Sequence, residues 1–111
     1  MISIEDVMNF LIEERAPYLD PKVLANMFDR MIWTLNDNGA EITKVTADWV
    51  EGDDEYKVEV ALLMEESFPY NDRATMEEQF SRLRGRWPRF GTLCERVLQQ
   101  WDMTMTGKRQ G

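Results

Sequence analysis

KVTADWVEGDDEYKVEVALLM, residues 44–64, is the stretch that decides which fold class the sequence predicts. Apolar side chains occupy alternate positions over residues 45–49 and again over residues 56–64, and a short acidic run separates the two segments. A period of two is typical of a strand that buries one face. The pattern predicts a β-hairpin with strands 45–49 and 56–64 that turns at Gly52-Asp53.

A single register of this hairpin accommodates all the alternating apolar residues. Its cross-strand pairs are Trp49 with Tyr56, Ala47 with Val58, and Val45 with Val60. In that register these side chains share one face. A shift of one residue would turn every side chain of a strand to the other face, so the pattern specifies the register. The tip of the hairpin is then expected to be solvated.

Two helices are predicted before this stretch. Ser3 and Asp6 form a capping pair for a helix that runs to about Arg15, and Asp20-Pro21 supplies an N-cap followed by proline at the first position of the second helix. Asn38-Gly39 is a typical helix stop. The apolar face of the second helix comprises Leu24, Met27, Phe28, Met31, Ile32 and Leu35.

One or two helices are predicted after the hairpin. Thr75 with Glu78 begins one that ends at Pro88, and Thr92 with Glu95 begins another. Residues 101–106 fit either a fraying helix or a short third strand, since their apolar residues also alternate. The expected fold class is α+β, as a single domain over 1–106 with a mobile tail over 107–111.

The composition excludes several kinds of chemistry. The chain has no histidine, so the usual general base and the commonest transition-metal ligand are both missing. Cys94 is the only cysteine, no phosphate-binding glycine motif is present, and the acidic run lacks the ligand order of a calcium loop. We therefore expect a non-enzymatic protein without metal or cofactor. The absence of a signal segment or a long apolar run predicts a cytoplasmic protein that does not enter a membrane.

Charge is unevenly distributed along the chain, whose net charge is −8. Residues 1–80 hold 19 acidic and 6 basic side chains, whereas residues 81–111 hold 2 acidic and 7 basic ones. The acidic part contains a candidate surface for binding a basic partner. Its members are Glu13, Glu14, Asp20, Glu51, Asp53, Asp54, Glu55, Glu59, Glu65 and Glu66.

Two further features are candidates for binding. Trp33 lies nearly opposite the apolar face of the second helix, so it is either covered by another element or exposed for recognition. Arg84, Arg86 and Arg89 cluster near Pro88, and we weigh three roles for them: pairing within the chain, contact with a protein, and contact with nucleic acid. Arg82 is expected to pair with Glu78 one turn earlier.

These observations predict a small acidic protein that occupies a basic surface of a protein partner. A basic groove that holds nucleic acid is one surface of this kind, and small inhibitors, immunity proteins and anti-defence proteins bind their targets in this physical manner. The alternatives are an accessory subunit that contacts nucleic acid through Arg82–Arg89 and, third, a small enzyme. The partner-binding residues expected under the first interpretation are Trp33, Glu51, Asp53, Asp54, Glu55, Arg84, Arg86 and Arg89. The sequence leaves the oligomeric state open.

Overall fold

The computed structural model describes residues 2–37 and 39–110, with side chains up to residue 106. Within these residues the chain is all-helical, with six α-helices, one short 3₁₀ helix and no strand, so the α+β prediction is wrong. The helices are α1 (Ile4–Glu13), α2 (Pro21–Ile32), α3 (Ala40–Glu51), α4 (Glu55–Leu63), α5 (Arg73–Arg86) and α6 (Gly91–Gln110), with the 3₁₀ helix over Pro88–Phe90.

The chain divides into two compact units, the first ending at Pro69 and the second beginning at Tyr70. In the first unit α4 packs against α2 and α3, and α1 packs against α3 and α2. In the second unit α5, α6 and the 3₁₀ helix pack on one another. The single-domain assignment over 1–106 stays a prediction.

The predicted first strand is part of α3. Its buried residues are Ile42, Val45, Thr46, Trp49 and Val50. They follow one another at i, i+3, i+4, i+7 and i+8, which is the spacing of one helix face. Thr46, placed on the solvent face of the hairpin, is 1% exposed, whereas Ala47 is only half-buried. The alternation over 45–49 is therefore incidental to a helical pattern that begins three residues earlier.

The predicted second strand coincides with α4, a helix that packs against both α2 and α3. Val58, Val60, Ala61 and Leu62 are all buried, so this short helix is covered on most of its circumference. A helix buried all round carries no helical period in its apolar residues, and a short apolar run is then easily mistaken for a strand. Gly52 ends α3 and Asp54 is the N-cap of α4, so the predicted hairpin turn is a helix–helix connection.

The local helix signals near the N-terminus are confirmed. The Ser3 hydroxyl accepts from the Asp6 N–H at 3.0 Å and the Asp6 carboxylate accepts from the Ser3 N–H at 3.2 Å, which completes the capping box of α1. The Asp20 carboxylate accepts from the Lys22 N–H at 2.9 Å, with Pro21 as the first residue of α2. Asn38, half of the predicted stop after α2, lies outside the described residues.

The second unit places residues 101–106 in a helix. Arg73 on α5 donates from Nε and Nη2 to the Asp102 carboxylate at 2.7 and 3.1 Å, which ties the distal part of α6 to the start of α5. The third strand is therefore ruled out. The backbone of residues 107–110, expected in a mobile tail, continues α6, and Gly111 lies outside the described residues.

Candidate protein-binding surface

The α1–α2 connection contacts the start of α4 at Tyr56, and Arg15 of this connection also donates to the Ile12 carbonyl of α1. The Tyr56 hydroxyl donates to the Leu19 carbonyl at 3.0 Å, and the Arg15 guanidinium lies 3.8 Å from the centre of the Tyr56 ring. Burial raises the pKa of Tyr56. The Arg15 charge opposes this rise, and the charges of Asp20 and Glu59 add to it. These contacts bring together residues that are up to 41 positions apart in the sequence.

Carboxylates dominate this part of the unit, which we call the acidic end. Its members are Glu13, Glu14, Asp20, Glu51, Asp53, Asp54 and Glu55, and all seven are exposed. Two of them also cap helices, since Asp20 caps α2 and the Asp54 carboxylate accepts from the N–H groups of Tyr56 and Lys57 at 3.0 and 3.2 Å. The predicted acidic residues of the turn are thus joined by three others, although Asp54 serves the fold as well.

Several of these carboxylates lie where helix electrostatics disfavours them. Glu13 is the last residue of α1, Glu14 is its C-cap, and Glu51 is the last residue of α3. Neither helix has a basic residue in its last turn. The C-terminus of a helix carries partial negative charge, so an anion there costs about 0.3–1 kcal/mol at low ionic strength. The interaction with the helix dipole therefore does not account for the placement of these charges.

Tyr18 is an exposed aromatic residue of the α1–α2 connection, which also carries Asp20 of the acidic end. Its side chain is fully exposed, and its φ of 63° is in the left-handed region. The Leu19 N–H donates to the Ala16 carbonyl at 3.2 Å across Pro17-Tyr18, which gives the features of a type II turn. Glycine or asparagine is usual at the third position of such a turn. The fold therefore holds a bulky ring in solvent on a strained backbone.

Trp33 follows the C-terminus of α2, roughly 20 Å along the helix from Asp20. Its side chain is 75% exposed, so the interpretation in which another element covers it is wrong. A cleft of about 210 Å³ beside it is lined by Asn26, Asp29, Arg30, Trp33, Glu65 and Glu66. The structure does not bring Trp33 together with the α3–α4 turn, and its role in recognition stays a prediction.

Asp29 fixes the floor of that cleft. Its buried carboxylate accepts from the Glu65 N–H at 3.0 Å and from the Glu66 N–H at 3.1 Å. Burial raises the pKa of Asp29, and the two N–H bonds oppose this rise. Lys22 adds a second link between α2 and the chain after α4, because its Nζ donates to the Leu63 carbonyl and the Glu65 carboxylate at 3.2 and 2.9 Å.

The predicted arginine cluster lies in the second unit, where each member contacts neighbouring side chains. Arg86 lies over the Trp87 ring and Arg89 over the Phe90 ring, with the guanidinium carbon 5.1 and 4.1 Å from the ring centres. Arg84 is half-buried, and its charge acts on the Cys94 thiol. The pairing of Arg82 with Glu78 is confirmed at 3.0 Å. These contacts agree with a structural role and leave a binding role untested.

The structure offers little support for other kinds of site. Burial raises the pKa of the Cys94 thiol to about 11, so this cysteine is a poor nucleophile. In the described part of the chain no group of three or more acidic or cysteine side chains is arranged to hold a metal ion. None of the helices described is both long enough and apolar enough to cross a membrane.

Sequence reasoning missed two features of this surface. The meeting of α1, the α1–α2 connection and the α3–α4 turn depends on helix packing, which the hairpin interpretation excluded. The positive φ of Tyr18 had only a partial local signal, because Pro17 suits the second position of both type I and type II turns and only the latter requires positive φ at the next residue. Comparisons of the chain with known protein families, with curated proteins and with solved structures found no match.

Proposed function

We propose that the protein is a non-enzymatic binding protein whose acidic end occupies a basic surface on a protein partner. The observation that carries this proposal is the contact of Tyr56, which follows the acidic α3–α4 turn, with Arg15 and Leu19. These two residues belong to the connection that also carries Asp20 and the fully exposed Tyr18. Small inhibitors, immunity proteins and anti-defence proteins act in this physical manner. Tyrosine is common at the energetic centre of protein interfaces, and Tyr18 is therefore the residue expected to contribute most to affinity.

The charge distribution supports the choice of a protein partner over nucleic acid for this surface. The first unit, residues 1–69, holds 16 acidic and 5 basic side chains. Such a surface repels phosphate and is attracted to grooves lined with lysine and arginine, which it reaches faster at low ionic strength. A partner groove that holds nucleic acid would be blocked by the acidic end, so binding is expected to compete with nucleic acid.

The placement of Glu13, Glu14 and Glu51 at helix C-termini gives further support. These charges work against the helices that carry them. An unfavourable electrostatic contribution that is retained at a surface is typical of a functional surface. The carboxylates of Asp20 and Asp54 carry less weight here, because their capping bonds explain them.

The test compares two variants of equal net charge. Glu14→Gln, Glu51→Gln and Asp53→Asn together neutralise part of the acidic end, whereas Glu95→Lys and Thr104→Lys raise the charge by the same amount on α6. The tagged proteins are used to capture partners from a lysate of the source cell, with quantitative mass spectrometry. We expect a partner retained by the wild type and by the α6 variant but lost with the neutralised acidic end, and released by added nucleic acid. Equal retention by all three proteins would contradict the proposal.

A second candidate function is contact with nucleic acid through the second unit. Residues 70–111 hold 5 acidic and 8 basic side chains, and the exposed Arg86 lies over the half-buried Trp87 ring. The exposed Arg89 lies over Phe90. Arginine and aromatic groups together suit a nucleic-acid backbone and its bases. An electrophoretic mobility shift at low salt tests this candidate. A shift with the wild type that is lost in Arg86→Ala with Arg89→Ala would favour it over the first proposal.

A further inference from the structure

Helix α1 has apolar side chains on two sides. Met8 and Ile12 are buried where α1 packs on its neighbours. On the outer side Phe10 is 59% exposed and Ile2, just before the helix, is 76% exposed. These residues border a cleft of about 600 Å³ that is lined by Ile2, Asp6, Val7, Phe10 and Leu11. A helix with apolar residues on two sides is usually covered on both.

This outer side belongs to the part of the chain where exposed apolar residues concentrate. Among the described residues, seven large apolar side chains are exposed, and six of them lie within residues 2–33. Scattered single apolar residues are normal on a protein surface, whereas a grouped set indicates an interaction site. The set on α1 borders a cleft of about 600 Å³, whereas the cleft beside Val23 and Met27 on α2 measures about 250 Å³.

The charges around Phe10 define what can cover this side. At about 100° per residue, Asp6, Glu13 and Glu14 lie within roughly 60° of Phe10 around the helix axis. Residues 1–14 contain four carboxylates and no lysine or arginine. A second copy of α1 would place these carboxylates against one another, which is unfavourable. The covering surface must therefore be apolar at its centre and cationic at its edges.

We propose that the outer side of α1 is the docking site for a basic amphipathic helix of another protein. The partner helix places leucine-type side chains in the cleft between Phe10 and Leu11, and its lysine or arginine side chains pair with Asp6 and Glu13. In helix-in-groove recognition of this kind, the docked helix contacts the groove through apolar residues at i, i+3, i+4 and i+7. The proposal shares Glu13 with the acidic end, but the apolar side chains that carry it are not part of that end, so either proposal can fail without the other.

The test uses a fluorescent synthetic peptide of about four helical turns made of leucine and lysine, with all leucines on one helix face. Binding to the full chain is measured by fluorescence anisotropy. A peptide of the same composition, with leucines distributed around the helix, is the control for charge attraction. We expect only the first peptide to bind, with a dissociation constant below about 100 µM. Equal binding of the two peptides, or no binding of either, would overturn the proposal.

Protein variants locate the site. Phe10→Ala is expected to weaken peptide binding at least about tenfold, since removal of a central aromatic residue from an interface has an effect of this size. Met27→Ala, a truncation of an exposed apolar residue on α2, is expected to leave binding unchanged. If Phe10→Ala alters the circular dichroism spectrum, the peptide affinity of Ile2→Ala tests the same site independently. Unchanged binding in both α1 variants would place the peptide elsewhere.

Methyl NMR separates this site from the acidic end. On addition of the peptide, the methyl signals of Ile2, Val7 and Leu11 are expected to shift, whereas those of Val23 on α2 stay in place. A variant with Glu51→Gln and Asp53→Asn, which leaves the carboxylates of α1 unchanged, should retain these shifts. Shifts absent from α1 would refute the docking site whatever the outcome of the capture experiment, and loss of partner capture alone would bear only on the proposed function.

Discussion

At the scale of single residues, Tyr18 combines a strained backbone conformation with an exposed ring on the proposed binding surface. Its φ of 63° costs a residue with a side chain about 1–2 kcal/mol relative to the right-handed region. Glycine has no such cost at positive φ, although it loses more backbone entropy on folding. We therefore predict that Tyr18→Gly raises the free energy of unfolding by roughly 0.5–1 kcal/mol and weakens partner binding. Denaturant titration and a binding assay with the captured partner measure the two effects.

Tyr18→Ala separates the ring from the backbone. This variant retains a Cβ at positive φ, so its stability should stay close to that of the wild type, while its binding should fall as much as in Tyr18→Gly. A loss of stability of more than about 1 kcal/mol in Tyr18→Ala would show that the ring packs on the fold. Unchanged binding in both variants would remove Tyr18 from the interface.

At the scale of elements, α3 explains why the sequence was misread. Val45 and Trp49 fit both a period of two and a helical period, so they did not discriminate between strand and helix. The helical spacing is completed by Ile42 and Val50, which lie outside the predicted strand 45–49. The capping pairs of α1 and α2 were correctly predicted, because they depend on hydrogen bonds within a few residues. The burial of α4 on most sides depends on packing by α2 and α3, which no local pattern reports.

A pair of substitutions distinguishes the α3 helix from the predicted strand. Thr46 is buried, and its hydroxyl donates to the Thr43 carbonyl at 2.8 Å, whereas Ala47 is half-buried. Thr46→Asp should cost several kcal/mol, enough to unfold a domain whose total stability is about 5–15 kcal/mol. Ala47→Asp should be tolerated with a much smaller loss. Thermal unfolding monitored at 222 nm measures both, and the reverse order would support the hairpin.

The ion pair between α5 and α6 leads to a prediction about pH. Arg73 holds the pKa of Asp102 below its ordinary value of 3.8, so the folded chain binds this proton less tightly than the unfolded chain does. The stabilisation is therefore present above pH 3.8 and is lost as the pH falls through the lowered pKa. Asp102→Asn should reduce stability near neutral pH, and its difference from the wild type should shrink in acid.

The matched control for this prediction is Glu95→Gln, which removes an exposed carboxylate from the same helix. Unfolding curves between about pH 2.5 and 7 cover the window in which the lowered pKa acts. A difference between wild type and Asp102→Asn that grows in acid would contradict the sign of the effect. A control with the same pH dependence as Asp102→Asn would show that the ion pair is not its source.

At the scale of the whole molecule, the uneven charge could be predicted from the sequence and its spatial arrangement could not. The counts along the chain already separate an acidic part from a basic one, and the division at Pro69 and Tyr70 falls near that boundary. Which carboxylates become neighbours is set by the Tyr56 contacts with Leu19 and Arg15. The sequence grouped Glu13 and Glu14 with the turn residues by charge alone, and the hairpin interpretation supplied no contact that would bring them together.

Charge reversal at the acidic end is expected to affect binding and stability in opposite directions. In the variant with Glu14→Lys, Glu51→Lys and Asp53→Lys, two of the new cations lie at the C-termini of α1 and α3, where they interact favourably with the helix dipoles. The melting temperature should therefore hold or rise. Association with the partner should become slower and less dependent on salt, because long-range attraction between the two surfaces is lost. Stopped-flow association at about 50 and 300 mM salt measures this effect.

The matched control is the variant with Arg84→Ala, Arg86→Ala and Arg89→Ala, which should associate with the partner at nearly the wild-type rate. If the arginine variant folds and fails to bind while the charge-reversed variant binds normally, the second unit carries the interface and the acidic end does not.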